Sequence, residues 1–127
     1  MKGMENSYRM REYMLLLYEN PSGFAGLSDA EMGNVIEEYV EWRRNLVEEK
    51  RFTGGNKLRD EGGRELMSVN GQIRVAQGSY AGAKEVLGGY FLIKADNYEQ
   101  AVEICKGCPH LRFGGRIELR EIDPVES

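Results

Sequence analysis

The chain has a single histidine, His110, the one side chain whose ordinary pKa lies near neutrality. It stands in Cys108-Pro109-His110-Leu111, which reads as a turn between a helix and the last strand, where a side chain reaches a cleft mouth as an acid or base. A turn side chain buries little apolar area, so replacing His110 is expected to cost little stability while weakening ligand binding. A second polar group is Gln77-Gly78-Ser79-Tyr80, followed by Lys84. Backbone N–H groups, a hydroxyl (Ser79), a phenol (Tyr80) and an ammonium (Lys84) on one loop suit an anion or a carbonyl oxygen that needs polarising. Tyr39 and Trp42, with Phe52 just beyond, are aromatics at helical spacing. Such residues usually fill a core, and Tyr39 or Trp42 would also give a pocket its apolar wall.

Other chemistries are less well supported. Cys105 and Cys108 form a C-x-x-C, but a structural zinc needs four donors and the nearest other ligand is His110. The pair falls at the end of a helix, where the dipole opposes a thiolate, so both read as small buried thiols. No metal and no cofactor are expected. The sequence has no glycine-rich phosphate loop of the dinucleotide or P-loop type. Net charge is −4, and the basic residues alternate with acidic ones, as in Glu41-Trp42-Arg43-Arg44 and Glu48-Glu49-Lys50-Arg51. A face built that way does not displace counterions from phosphates, which argues against nucleic acid. No apolar run reaches the roughly 18 residues of a membrane span, and residues 1–12 are polar, so a cytoplasmic protein is expected.

The elements that must position these groups follow from periodicity. Tyr13-Met14-Leu15-Leu16-Leu17-Tyr18 is a continuous apolar run that reads as a central strand. Ser28-Asp29-Ala30-Glu31 is a capping box, after which Met32, Val35, Ile36, Tyr39, Val40, Leu46 and Val47 recur at helical spacing to about Lys50. Gly54-Gly55 reads as the stop, and Asn56 to Glu65 as a loop. Asn70-Gly71 between two apolar segments predicts a hairpin. Gly89-Tyr90-Phe91-Leu92-Ile93 reads as a strand, Asp96 or Asn97 caps a second helix, and Arg116-Ile117-Glu118-Leu119-Arg120 alternates as a half-exposed strand does. This order predicts one α+β domain over residues 1–127, with a polar extension at 1–12 and a core at 13–122. Both helices should lie on one face of an antiparallel sheet, in a split βαβ arrangement. The other sheet face would then be bare, and a homodimer would cover it.

Three segments also resemble the YCII-related, DGPF-type family. They are the strand Tyr13–Tyr18, the segment Gln77-Gly78-Ser79-Tyr80-Ala81-Gly82-Ala83-Lys84-Glu85-Val86-Leu87-Gly88-Gly89-Tyr90-Phe91, and Cys108-Pro109-His110-Leu111 with Gly114 to Arg120. The resemblance implies a ferredoxin-like fold assembled as a dimeric α/β barrel. Some such relatives look like small-molecule enzymes with a His and an Asp in a cleft, and a regulatory role has been supposed for others. The aspartate position of the signature holds Gln77 here, Ser79 and Tyr80 replace its proline and phenylalanine, and the first helix has no histidine, so the His–Asp pair does not carry over. Two functions remain in view. One is a small-metabolite pocket between the sheet and the first helix, with His110 as acid or base and Tyr80 and Lys84 polarising an oxygen. The other is a non-catalytic dimeric module that binds a partner protein.

Overall fold

The computed structural model describes residues 10–23, 26–78 and 84–124. Strand β1 (Arg11–Glu19) leads to helix α1 (Asp29–Glu48) and strand β2 (Phe52–Lys57). A hairpin of β3 (Arg64–Val69) and β4 (Gln72–Gln77) follows, then β5 (Val86–Ala95), α2 (Tyr98–Lys106), a 3-10 turn (Pro109–Phe113) and β6 (Arg116–Glu121). The main sheet has the order β2-β5-β1-β6 with every described pair antiparallel. Helix α1 therefore crosses from β1 to β2 over β5, and α2 crosses from β5 to β6 over β1. This is the ferredoxin-like split βαβ fold, and within one chain the sheet is open rather than closed into a barrel.

The unbroken apolar run of β1 is explained by its central place. Tyr13, Leu15 and Leu17 point to the helices and are buried, while Met14, Leu16 and Tyr18 are half-buried on the other face. The core joins these three to Ile93, Ala95, Trp42, Leu46, Ala101 and the two cysteines. Trp42 Nε1–H donates to the Ile104 carbonyl at 3.2 Å and its ring lies 5.2 Å from that of Phe91, so one side chain ties α1 to α2 and to the sheet.

Helix α1 begins at the expected capping box: Ser28 Oγ accepts from the Glu31 N–H, and Glu31 accepts from the Ser28 N–H. Its end differs from the sequence expectation. Lys50 takes the left-handed conformation (φ 60°) while the Arg51 N–H reaches back to the Leu46 carbonyl and the Lys50 N–H to that of Val47. That is a Schellman closure with lysine in the usual glycine place. Gly54-Gly55 is therefore not the helix stop. It lies inside β2, an edge strand that the polar, glycine-rich sequence disguised as a loop. A Cβ on Gly55 would stand 2.7 Å from both the Phe91 ring and the Tyr90 carbonyl, so glycine lets β2 pair closely beneath that ring. The Asn70-Gly71 hairpin forms as expected, both residues having positive φ. It is a separate two-stranded ladder and not part of the main sheet.

Two substitutions check these backbone assignments with opposite signs. Lys50→Gly relieves a left-handed lysine and should raise unfolding free energy by roughly 0.5–1 kcal/mol. Gly55→Ala should lower it by about 1–3 kcal/mol through the forced shift of Phe91. Urea midpoints at constant slope read both; a drop for Lys50→Gly would refute the Schellman closure.

Candidate functional site

One stripe of α1 does not face the core. Met32, Val35, Ile36 and Val40 recur at helical spacing and look across a gap toward Leu17 and Phe91 of the sheet. The gap is a cleft of about 740 Å³ between α1 and the helix-side face of β2 and β5, within the usual range for small-molecule pockets. Ile36 and Val40 are about half exposed, at 56% and 47%, which is high for apolar residues on the inward side of a helix.

Tyr39 and His110 form the polar wall of this cleft. Pro109 cannot continue α2, so the chain turns there through the short 3-10 segment, which ends at Gly114 in the left-handed conformation. That turn delivers His110 inward, leaving it only 4% exposed. Its Nε2 lies 2.7 Å from the Tyr18 carbonyl oxygen and its Nδ1 3.2 Å from the Tyr39 hydroxyl. A carbonyl can only accept, so Nε2 carries the proton. In the neutral ring Nδ1 is then the acceptor and the Tyr39 O–H donates to it. A Cβ on Gly115 would collide with the imidazole, so glycine at that position makes room for the ring.

This geometry corrects the expectation that replacing His110 costs little stability, which assumed a turn side chain that buries little area. Both ring nitrogens are engaged and the ring is enclosed, so its removal strands the Tyr18 carbonyl and the Tyr39 hydroxyl. Burial, followed by the nearby Cys108 and Glu19, holds the Tyr39 phenol well above the usual tyrosine range. Tyr39 therefore stays protonated, donating inward to His110 and leaving its oxygen lone pairs to accept from a molecule in the cleft. His110 thereby fixes the direction of the Tyr39 O–H bond.

The other expected site residues are dispersed. Trp42 is on the neighbouring stripe of α1, in the core, and is not part of the cleft wall. Lys84 is exposed just before β5 and does not line the cleft. Ser79 and Tyr80 lie outside the described residues. Gln77, at the signature's aspartate position, ends the exposed β4. Conversely, Glu19, Arg43, Lys57 and Asp60 line the cleft although their residue types and spacing did not single them out. Among the described residues no three His, Cys, Asp or Glu side chains gather to hold a metal ion.

Cys105 and Cys108 are free and buried at the end of α2. Burial, with the neighbouring Cys108, pushes the Cys105 thiol up to about 12, and burial pushes Cys108 up to about 11 despite a backbone hydrogen bond from His110. Neither is a nucleophile at neutral pH.

A split βαβ domain with a ligand-sized cleft between its first helix and its sheet defines the class: a ferredoxin-like α+β domain. More particularly, the chain belongs to the YCII-related domain family, whose model matches residues 11–126. No curated protein matches the chain.

Two measurements follow. His110→Ala should lower stability by about 2–4 kcal/mol, and Tyr39→Phe by about 1 kcal/mol, because the first removes a buried ring with both its hydrogen bonds and the second removes one hydrogen bond. Equal, negligible effects in urea melts would contradict the buried bridge. The thiols titrate later in the fold than in the unfolded chain. Above the ordinary thiol value the unfolded chain releases protons first, so stability present below about pH 8.5 should decline as pH rises toward the folded values of about 11 and about 12. A Cys105→Ala, Cys108→Ala protein should show a shallower fall in melting temperature over that window. Identical profiles would mean that the thiols are not shielded.

Proposed function

We propose that this chain binds a small organic metabolite in the cleft between α1 and the sheet. The ligand's body packs on Met32, Ile36, Val40 and Phe91, and a donor group on it is accepted by the Tyr39 oxygen. The observation that carries this reading is the Tyr39–His110 pair at the wall of a cleft whose floor is apolar and whose rim is polar, the usual composition of a ligand site. Binding is favoured over acid–base catalysis because both nitrogens of His110 are already committed. A proton would have to pass through Tyr39, whose raised pKa makes it a poor acid and leaves no phenolate at neutral pH to serve as a base. The two free thiols suit a reducing compartment such as the cytoplasm.

The open sheet face supports a second element. Met14, Leu16, Tyr90 and Leu92 lie on the side away from both helices and are half-buried in the single chain. A second copy laid on that face would bury them and build the dimeric barrel that the family resemblance implies. On this reading the barrel assembles the domain and the cleft holds the ligand.

Amide chemical-shift mapping with a library of small hydroxy and carbonyl compounds tests the binding reading. Shifts centred on Ile36, Tyr39 and Gly89 are expected, and hits that map only to the β3–β4 hairpin would refute it. Sedimentation equilibrium at micromolar concentration should give twice the monomer mass; the monomer mass throughout would remove the dimer.

A further inference from the structure

We infer that the ligand of this cleft carries both an anionic and a cationic end, separated by a short apolar chain, as an ω-amino acid does. This deepens the binding reading above and rests on it. Four charged side chains line the cleft: Glu19, Arg43, Lys57 and Asp60. Two of them neutralise each other, since Lys57 Nζ lies 2.6 Å from Asp60 Oδ1. The other two do not. Among the described residues Arg43 has no carboxylate at ion-pair distance, and its guanidinium rests 6.0 Å over the Phe52 ring. Glu19, half-buried at the end of β1, likewise has no cation at that distance among the described residues. Its carboxylate occupies the space above Gly88 that a Cβ would fill, and its charge is felt at the Tyr39 hydroxyl.

The two charges are opposite in sign yet held apart in one cleft. Tyr39 and Arg43 are one turn apart on α1, about 6 Å along the helix axis, with Val40 and Ile36 on the same stripe. Glu19 is near enough to Tyr39 for its charge to act on the phenol, Arg43 rests over Phe52, and Val40 lies between Tyr39 and Arg43 on the stripe. A ligand that fills the cleft removes water from both. A molecule with one charge would leave the other side chain desolvated without a counter-charge, which is costly. A molecule with both ends satisfies each: its carboxylate meets Arg43, its ammonium meets Glu19 and the Tyr39 oxygen, and its methylenes cover Val40, Ile36 and Phe91. An α-amino acid places its two charges too close together to span that interval.

Calorimetric titration of the full chain with 6-aminohexanoate, hexanoate, hexylamine and leucine at low ionic strength tests this. The structure calls for 6-aminohexanoate to bind at least tenfold more tightly than each of the other three. Glu19→Gln should reduce its affinity to that of hexanoate for the wild-type chain, and Arg43→Met, which keeps an apolar stem, to that of hexylamine. Both sites are partly or fully solvent-facing, and unchanged melting curves confirm that the variants fold. Equal binding of hexanoate and 6-aminohexanoate, or no loss with Glu19→Gln, overturns the two-charge assignment. If none of the four binds while other fragments map to Tyr39 and Gly89, this inference fails and the cleft reading stands. If no compound of any class perturbs those amides, both fail.

Discussion

The hydrogen bond from His110 Nε2 to the Tyr18 carbonyl ties the end of the chain's second half to the end of its first strand. Tyr18 stands where the β1–β5 register shifts, next to a bulge between Leu17 and Tyr18. Bulges interrupt a ladder and leave backbone groups to find other partners. Here the imidazole is the partner at 2.7 Å. Because that bond fixes the ring tautomer, it also fixes the direction of the Tyr39 hydroxyl, and with it what the cleft presents to a ligand. Several local features serve this one contact: Pro109 turns the chain inward, Gly114 closes the turn in the left-handed region, and Gly115 leaves space for the ring.

Helix α1 divides its surface between two tasks. Trp42 and Leu46 are buried in the main core. Ile36, Tyr39, Val40 and Arg43 line the cleft. Filling the second surface with core side chains would add roughly 25 cal/mol for each Å² of apolar area covered. The fold leaves that stabilisation unrealised, and the cleft remains open. The glycines opposite, Gly55 in β2 and Gly88-Gly89 in β5, contribute by withholding side chains from the facing strands.

Much of this architecture was legible in the sequence. The capping box placed the start of α1, Asn70-Gly71 placed the hairpin, and alternation placed β6. The YCII-related resemblance pointed to the ferredoxin-like fold. Strand β2 was illegible because an edge strand with Gly54, Gly55 and Asn56 has the composition of a loop; its strand conformation comes from pairing with β5, a long-range effect that local propensity cannot express. The helix end was misplaced for a related reason: a lysine at the left-handed closure leaves no glycine to mark it. At the site, His110 was found because it is the sole histidine, and Tyr39 because of its helical spacing. Their contact across 71 residues of chain was not visible, nor was the burial that gives His110 a structural role. Glu19 and Arg43 looked like ordinary solvated charges, since only the fold brings them to one cavity.

The departure of Gln77 from the signature aspartate and the absence of a helix histidine had already removed the His–Asp pair. The structure supplies a different polar pair, a phenol from α1 held by an imidazole from the turn before β6. Long-range ¹H–¹⁵N correlation of the His110 imidazole tests this arrangement most directly. The geometry predicts the Nε2–H tautomer in the neutral ring, with an Nδ1 shift typical of an unprotonated acceptor and an Nε2 proton protected from exchange. An Nδ1–H tautomer, or a ring averaging rapidly between tautomers with an unprotected proton, would contradict it.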